Sequence, residues 1–250
     1  MHATFTASAL VLLACTNAAL AQSELPFVAG ERLHYRVSVS RLGAIGEGTM
    51  SVDGPVDVRG TQTLVLRSVV KAQIAFLKSD ERAESWIDPT RMAVLRYQKT
   101  GRGSMARGDA NVEVFPDENR WEDARGNGGA VPTDAPLDEL SFIYYLRTLP
   151  FKTDTVENLV RHYDPNRNPI AVRVIGRDTV RTKAGTFPTI VVEMKVKDPK
   201  RYGGEGVIRI NLSDDAYRYP VRIESHVPVF GSTVLTLEAF TCPRHLASHP

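Results

Sequence analysis

His162 and Asp164 form a close histidine–carboxylate pair within Val160-Arg161-His162-Tyr163-Asp164. Residues two apart on a strand share a face, so an imidazole–carboxylate hydrogen bond is feasible at this spacing. Catalysis would also need a nucleophile, or a third group to orient the base. The chain has no H-E-x-x-H, H-x-H or G-x-S-x-G, the spacings that metal-assisted and serine hydrolysis use. The pair therefore reads as structural. His34 and His226 fall on polar strand faces near opposite ends of the chain, and His2, His245 and His249 lie near the termini.

Other motifs are weaker. Gly101-Arg102-Gly103-Ser104-Met105-Ala106 matches G-x-G-x-x-A, but Arg107-Gly108-Asp109 follows it. A dinucleotide site needs a helix N-terminus there to hold the pyrophosphate, so a hairpin tip is the better reading. Asp164-Pro165-Asn166-Arg167-Asn168 starts like a calcium loop, yet Pro169 stands where a glycine is required and Ile175 where a bidentate Glu is required. Asn211-Leu212-Ser213 is a glycosylation acceptor by pattern. Cys15 and Cys242 are too few for a disulfide scaffold or a cysteine zinc site. These residues imply no cofactor and no metal, and assign no catalytic residue.

The 250 residues are 42% hydrophobic and 24% charged, with net charge +2. That balance belongs to a globular chain, with no large electrostatic drive toward nucleic acid or an anionic membrane. Residues 3–14 are apolar but too short for a bilayer span, and Ala19-Leu20-Ala21 fits signal-peptidase cleavage. The expectation is a signal peptide at 1–21 and a single mature domain at 22–250 in the periplasm, with a flexible tail from about 242. The rival is a lipoprotein anchored through Cys15, since Leu12-Leu13-Ala14-Cys15 resembles a lipobox. No other window is apolar enough for a transmembrane span.

Alternating apolar and polar residues recur along the mature chain, as at Leu33-Tyr35-Val37-Val39 and Ile190-Val192-Met194-Val196. Such a period-2 pattern marks half-buried antiparallel strands. Ten to twelve strands are expected, with exposed loops at 116–134 and 197–206. Residues 135–149 read instead as a helix, with Asp134 as N-cap and Pro150 as stop. The helix is apolar nearly all round, so it belongs on the concave side of a strongly curved, half-barrel-like sheet. Arg147 lies on its apolar stripe, and a buried guanidinium must be paired. Glu31 and Glu84 are the expected partners.

Several segments carry a family likeness. They are Pro26-Phe27 with Gly30-Glu31 and Tyr35, then Ser85-Trp86-Ile87-Asp88-Pro89 with Leu95-Arg96-Tyr97. Leu137 to Arg147, Ala184-Gly185-Thr186-Phe187, and Leu212-Ser213-Asp214-Asp215 with Arg218 and Pro220 complete the set. With them the chain resembles the domain of unknown function 3108 family, exported bacterial proteins without a settled activity. The resemblance implies a periplasmic location and a β-rich fold with one central helix. It supplies no catalytic residue. The outline is also similar to half-barrel periplasmic lipoprotein carriers, by architecture alone.

Three functions compete on these grounds. The first is a non-enzymatic periplasmic binding or carrier protein, holding a lipid or glycan in an apolar trough. Its ligand would rest against Tyr35, Trp86, Tyr144, Arg147, Tyr217 and Tyr219. An anionic head would lie near Arg102, Arg107, Lys200 or Arg201. The second is an envelope scaffold or assembly protein with a protein partner, its trough filled by the helix. The third is a hydrolase acting through Glu31, His162 and Asp164.

Overall fold

The computed structural model describes residues 25–40, 42–104, 108–151, 155–198, 203–227 and 231–243. The leader at 1–21, Cys15, Arg107, Lys200, Arg201, His245 and His249 lie outside them.

The first half of the chain supplies eight strands. They are β1 (Arg32–Val39), β2 (Gly43–Val58), β3 (Thr61–Ile74), β4 (Leu77–Asp88), β5 (Ala93–Arg102), β6 (Ala110–Phe115), β7 (Arg120–Asp123) and β8 (Gly128–Ala130). The helix α1 (Glu139–Leu146) follows. Six strands complete the chain: β9 (Val156–Leu159), β10 (Ile170–Thr182), β11 (Gly185–Asp198), β12 (Gly204–Ser213), β13 (Pro220–Val227) and β14 (Gly231–Thr241). All fourteen form one open antiparallel sheet in the order β8-β7-β6-β5-β4-β3-β2-β1-β14-β13-β12-β11-β10-β9.

This is the expected mainly β architecture, with fourteen strands rather than ten to twelve. The additional strands β7, β8 and β9 are short and occupy segments without alternation. Within the expected loop at 116–134, residues 120–130 thus form a hairpin. The Asp123 carboxylate closes its turn, accepting the amides of Arg125 and Asn127 at 2.9 and 2.8 Å.

Register shifts at His34/Tyr35, Val37/Ser38, Asp53/Val56, Trp86/Ile87, Val174/Gly176 and Asn211/Leu212 bend the sheet. Long hairpins then curl across their neighbours. Arg59, in the β2–β3 turn, donates to the carbonyls of Leu95 and Val114 at 2.9 and 2.7 Å. Phe187 of β11 meets Phe240 of β14 edge to face, with ring centroids 6.2 Å apart. Near the two sheet ends, Trp121 of β7 packs on Tyr163, just after β9, at 5.4 Å.

The alternating apolar residues point inward on strand after strand. Leu33, Met50, Leu66, Ile87, Val172, Val192, Ile210 and Val221 join Leu140, Phe142, Tyr144 and Leu146 of α1 in one core. Each such side chain is stabilising by about 1.5–3 kcal/mol through burial.

The helix is shorter than the expected 135–149. Residues 136 and 137 are held by pairing, since Pro136 accepts from the Val94 amide and Leu137 bridges Arg161 and Tyr163 at 2.6 and 2.9 Å. The N-cap is therefore Asp138, not Asp134, in a capping box with Ser141.

Candidate functional site

The two ends of α1 carry the buried polar chemistry. At its C-terminal end Arg147 is 2% exposed. Its guanidinium makes a bidentate pair with Glu31, at 2.7 Å to Oε1 and 2.8 Å to Oε2. It also donates to the carbonyls of Tyr217 and Pro26, at 2.9 and 3.0 Å. Phe27, Tyr144 and Tyr219 surround it, with ring centroids 5.2, 5.4 and 5.7 Å away. Burial opposes the charge on Arg147, but Glu31 outweighs it and raises the pKa.

Glu31 was one of the two carboxylates expected. The other, Glu84, is bound to Arg67 on the outer face of the sheet. All three guanidinium nitrogens and both Glu31 oxygens are hydrogen-bonded. The arrangement ties the helix end to the N-terminal segment and to the β12–β13 turn.

The tyrosines here do not offer a proton near neutral pH. Burial, with Tyr144 and Glu31 nearby, pushes the Tyr35 hydroxyl well above the phenol range, and it donates to the Pro220 carbonyl at 2.9 Å. Burial also pushes Tyr144 up. Burial and the adjacent Cys242 thiol do the same to Tyr219. Cys242 itself is 2% exposed, part of the core rather than the start of a loose tail.

At the N-terminal end of α1, Asp138 Oδ1 accepts from Ser85 Oγ, Leu140 N and Ser141 N at 2.8, 2.7 and 3.0 Å. Its Oδ2 is buried without a hydrogen-bond partner. Burial pushes its pKa up to about 6.

His162 lies beside this cap, and its partner differs from the one expected. Nδ1 accepts the Asp164 backbone amide at 3.0 Å, so the ring proton sits on Nε2, which points toward Glu139 Oε1 at 3.9 Å. The Asp164 carboxylate instead accepts from Asn166, at 2.9 Å from the amide and 3.0 Å from the side chain. Glu31 and His162 sit by opposite ends of an eight-residue helix, roughly 12 Å long at 1.5 Å per residue. The hydrolase trio is therefore not brought together.

Of the six expected ligand contacts, Tyr35, Tyr144, Arg147 and Tyr219 converge on the ion pair. Tyr217 joins through its carbonyl and stacks on Tyr219 at 5.3 Å. Both rings lie in the β12–β13 turn rather than in a strand. Trp86 is on the other face of the sheet, under the Arg96 guanidinium at 5.7 Å. Alternation along β4 puts Ser85 and Ile87 inward and Trp86 outward; the register shift beside Trp86 leaves the extra residue, Leu95, on β5.

Asn211 is 4% exposed and donates to Thr189 Oγ1 at 3.0 Å, so the glycosylation pattern is buried. Gly101 closes a hairpin end by donating to Asp109 at 2.9 Å. The sequence reading missed the Glu139–Arg167 ion pair. Its partners are 28 residues apart in sequence, and no spacing pattern links the helix start to the turn that carries Arg167.

Two cavities stand out among the described residues. An open concavity of about 560 Å³ lies outside the core at β6–β8, lined by Asn111, Glu113, Trp121, Asp123 and Asn127. A void of about 10 Å³ lies by Leu149, Phe151 and Val172. Leu140, Phe142, Tyr144 and Leu146 of α1 are all buried in the core, at 5% exposure or less. No helix among the described residues is long and apolar enough to cross a membrane.

The fold has relatives. The chain is similar to a beta-barrel-like protein of domain of unknown function DUF1849 from Brucella abortus, at 12% identity and a TM-score of 0.57, over 86% of this chain and 98% of that one. A protein from Parabacteroides distasonis, described provisionally as a lipoprotein, aligns at 11% identity and a TM-score of 0.34, over 87% of this chain and 98% of that one. A protein of YmcC-like fold from Bacteroides fragilis, described provisionally as exported, aligns at 12% identity and a TM-score of 0.35, again over 87% and 98%. No curated protein matches the chain. The model of one family, described as protein of unknown function (DUF3108), matches residues 34–238, and the chain belongs to that family.

Proposed function

We propose that the protein is a non-enzymatic scaffold or assembly component of the bacterial periplasm, acting through its outer surface. One observation carries this reading. The place where a carried molecule would sit, between α1 and the concave sheet, is occupied by the Arg147–Glu31 pair and its aromatic surround. The Arg147 guanidinium and the Tyr35 and Tyr144 hydroxyls all donate internally, and only the buried Tyr219 hydroxyl has no hydrogen-bond partner among the described residues there. An apolar ligand would have to displace packed core or strand a buried charge, and either is costly.

The carrier reading needs an interior cleft of a few hundred cubic ångströms. It keeps one place, the open concavity beside Trp121, whose polar walls suit a glycan better than an acyl chain. The two readings separate in one experiment. A fluorescent acyl probe and a set of envelope glycans are titrated onto the folded protein, and native mass spectrometry follows protein taken from its own host. The scaffold reading expects no saturable binding and a bare mass. One-to-one binding that Arg147→Ala or a Trp121 variant abolishes would overturn it.

A further inference from the structure

We propose that the end of the sheet carrying the β1–β2 and β3–β4 hairpin tips docks on the surface of an anionic phospholipid bilayer, inserting Phe76 and Leu42. Phe76 is 85% exposed and Leu42 is 55% exposed, among the few large apolar side chains held in water. Both sit at hairpin tips on one end of the sheet, Leu42 between β1 and β2 and Phe76 between β3 and β4. Register puts them level. Gly46 pairs with Ala72, and each apolar residue lies four positions beyond its member of that pair. Two strand spacings separate the tips, about 10 Å.

The turn chemistry at Phe76 is unusual for a solvent loop. Ile74 pairs with Leu77, leaving Ala75 and Phe76 as a two-residue turn. Such turns favour Gly, Asn and Asp because a positive φ is required. Here Ala75 adopts φ 52° and an aromatic ring stands at the point.

The flanking charge complements an anionic surface. On the outer face beside the tip, Lys71, Lys78, Arg82 and Arg102 are exposed, against two acids, Asp80 and Glu47, which flank Lys71 on its two neighbouring strands. One strand further, Arg36 is paired with Glu238 at 3.6 Å. The net charge of +2 for the chain hides this local excess of cations. An apolar wedge ringed by Lys and Arg is what partitions into an anionic headgroup layer.

The docking end is opposite the Arg147 cluster, so this inference stands or falls independently of the filled interior. Its test is co-sedimentation with phosphatidylglycerol vesicles and with neutral phosphatidylcholine vesicles. Wild type and variants carry the same termini, so differences isolate the tips. Wild type should bind the anionic vesicles, and high salt should release it. Phe76→Ala with Leu42→Ser should weaken that binding about tenfold or more, given the apolar area withdrawn. Lys71→Glu with Lys78→Glu should weaken it at least fivefold. A Phe76→Trp variant should gain emission, over the wild-type baseline, that brominated lipids quench. Equal binding by wild type and tip variants, or added emission that stays water-like on anionic vesicles, would overturn the proposal. The second outcome would leave the tip to a protein partner.

Discussion

Arg147 shows how one residue type in one pattern constrains a fold. Its position on the apolar stripe of a helix demanded a buried partner, and Glu31 supplies two oxygens at hydrogen-bond distance. Removing the guanidinium leaves a buried carboxylate uncompensated. Arg147→Ala should therefore lose about 3–5 kcal/mol of stability. Replacing both charges, Arg147→Met with Glu31→Leu, should lose clearly less, although the Tyr217 and Pro26 carbonyls lose a donor. Urea denaturation of wild type, Arg147→Met, Glu31→Leu and the double variant as a cycle reads this directly; equal losses for the single and double variants would refute the charge argument. Asp138 makes a pH-dependent prediction. Its pKa of about 6 lies above the ordinary 3.8. A carboxyl raised on folding contributes stability that is complete below about pH 4 and is lost as the pH rises through about 6. Asp138→Asn keeps the acceptor that caps α1 and removes the ionisation. The variant should match wild type near pH 4 and exceed it by about 1–3 kcal/mol at pH 8. A difference that is flat with pH would show that Asp138 stays ionised at no cost.

At the scale of elements, the sequence was legible wherever one face of a strand is dry. Alternation located β1, β11, β12 and β14 because their inward residues share a single core. It failed at β7, β8 and β9, where pairing rather than burial makes the strand. Gly128, Gly129 and Ala130 are all exposed and carry no pattern. The helix was recognised by its all-round apolarity, yet its start was misplaced by four residues. The reason is tertiary: pairing of Leu137 with Arg161 and Tyr163 outcompetes a further helical turn. The polar cluster at the Arg147 end was partly legible, since Glu31, Tyr35, Tyr144 and Tyr219 were all named. Trp86 was assigned to the wrong face because hydrophobicity alone does not say which side of a strand a ring occupies. The short β7–β8 hairpin depends on Trp121 packing against Tyr163. Trp121→Ala should accelerate amide exchange in β7, β8 and residues 161–163 by about tenfold or more, one factor of ten for each 1.4 kcal/mol lost. Exchange in β1 and β14 should not change. Uniform acceleration would mean that the hairpin has no local opening of its own.

Across the described residues, the sheet and helix share one core. Arg147 joins α1 to the chain before β1 and to the β12–β13 turn, while Arg59 joins the β2–β3 turn to β5 and β6. Trp121 and Tyr163 couple regions near the two ends of the strand order. Contacts distributed in this way make partial unfolding expensive, because any large fragment leaves apolar surface and buried charge unmatched. Equilibrium unfolding should then be a single transition. The two tryptophans report on different places, Trp86 on the outer face of β4 and Trp121 on the edge hairpin, and far-UV dichroism reports on the sheet. All should give one midpoint in urea, and Arg147→Ala should lower that midpoint for every probe together. If tryptophan emission and dichroism instead separate, with the variant moving only one of them, the sheet contains two cooperative units. The helix would then stabilise one half of the sheet rather than the whole.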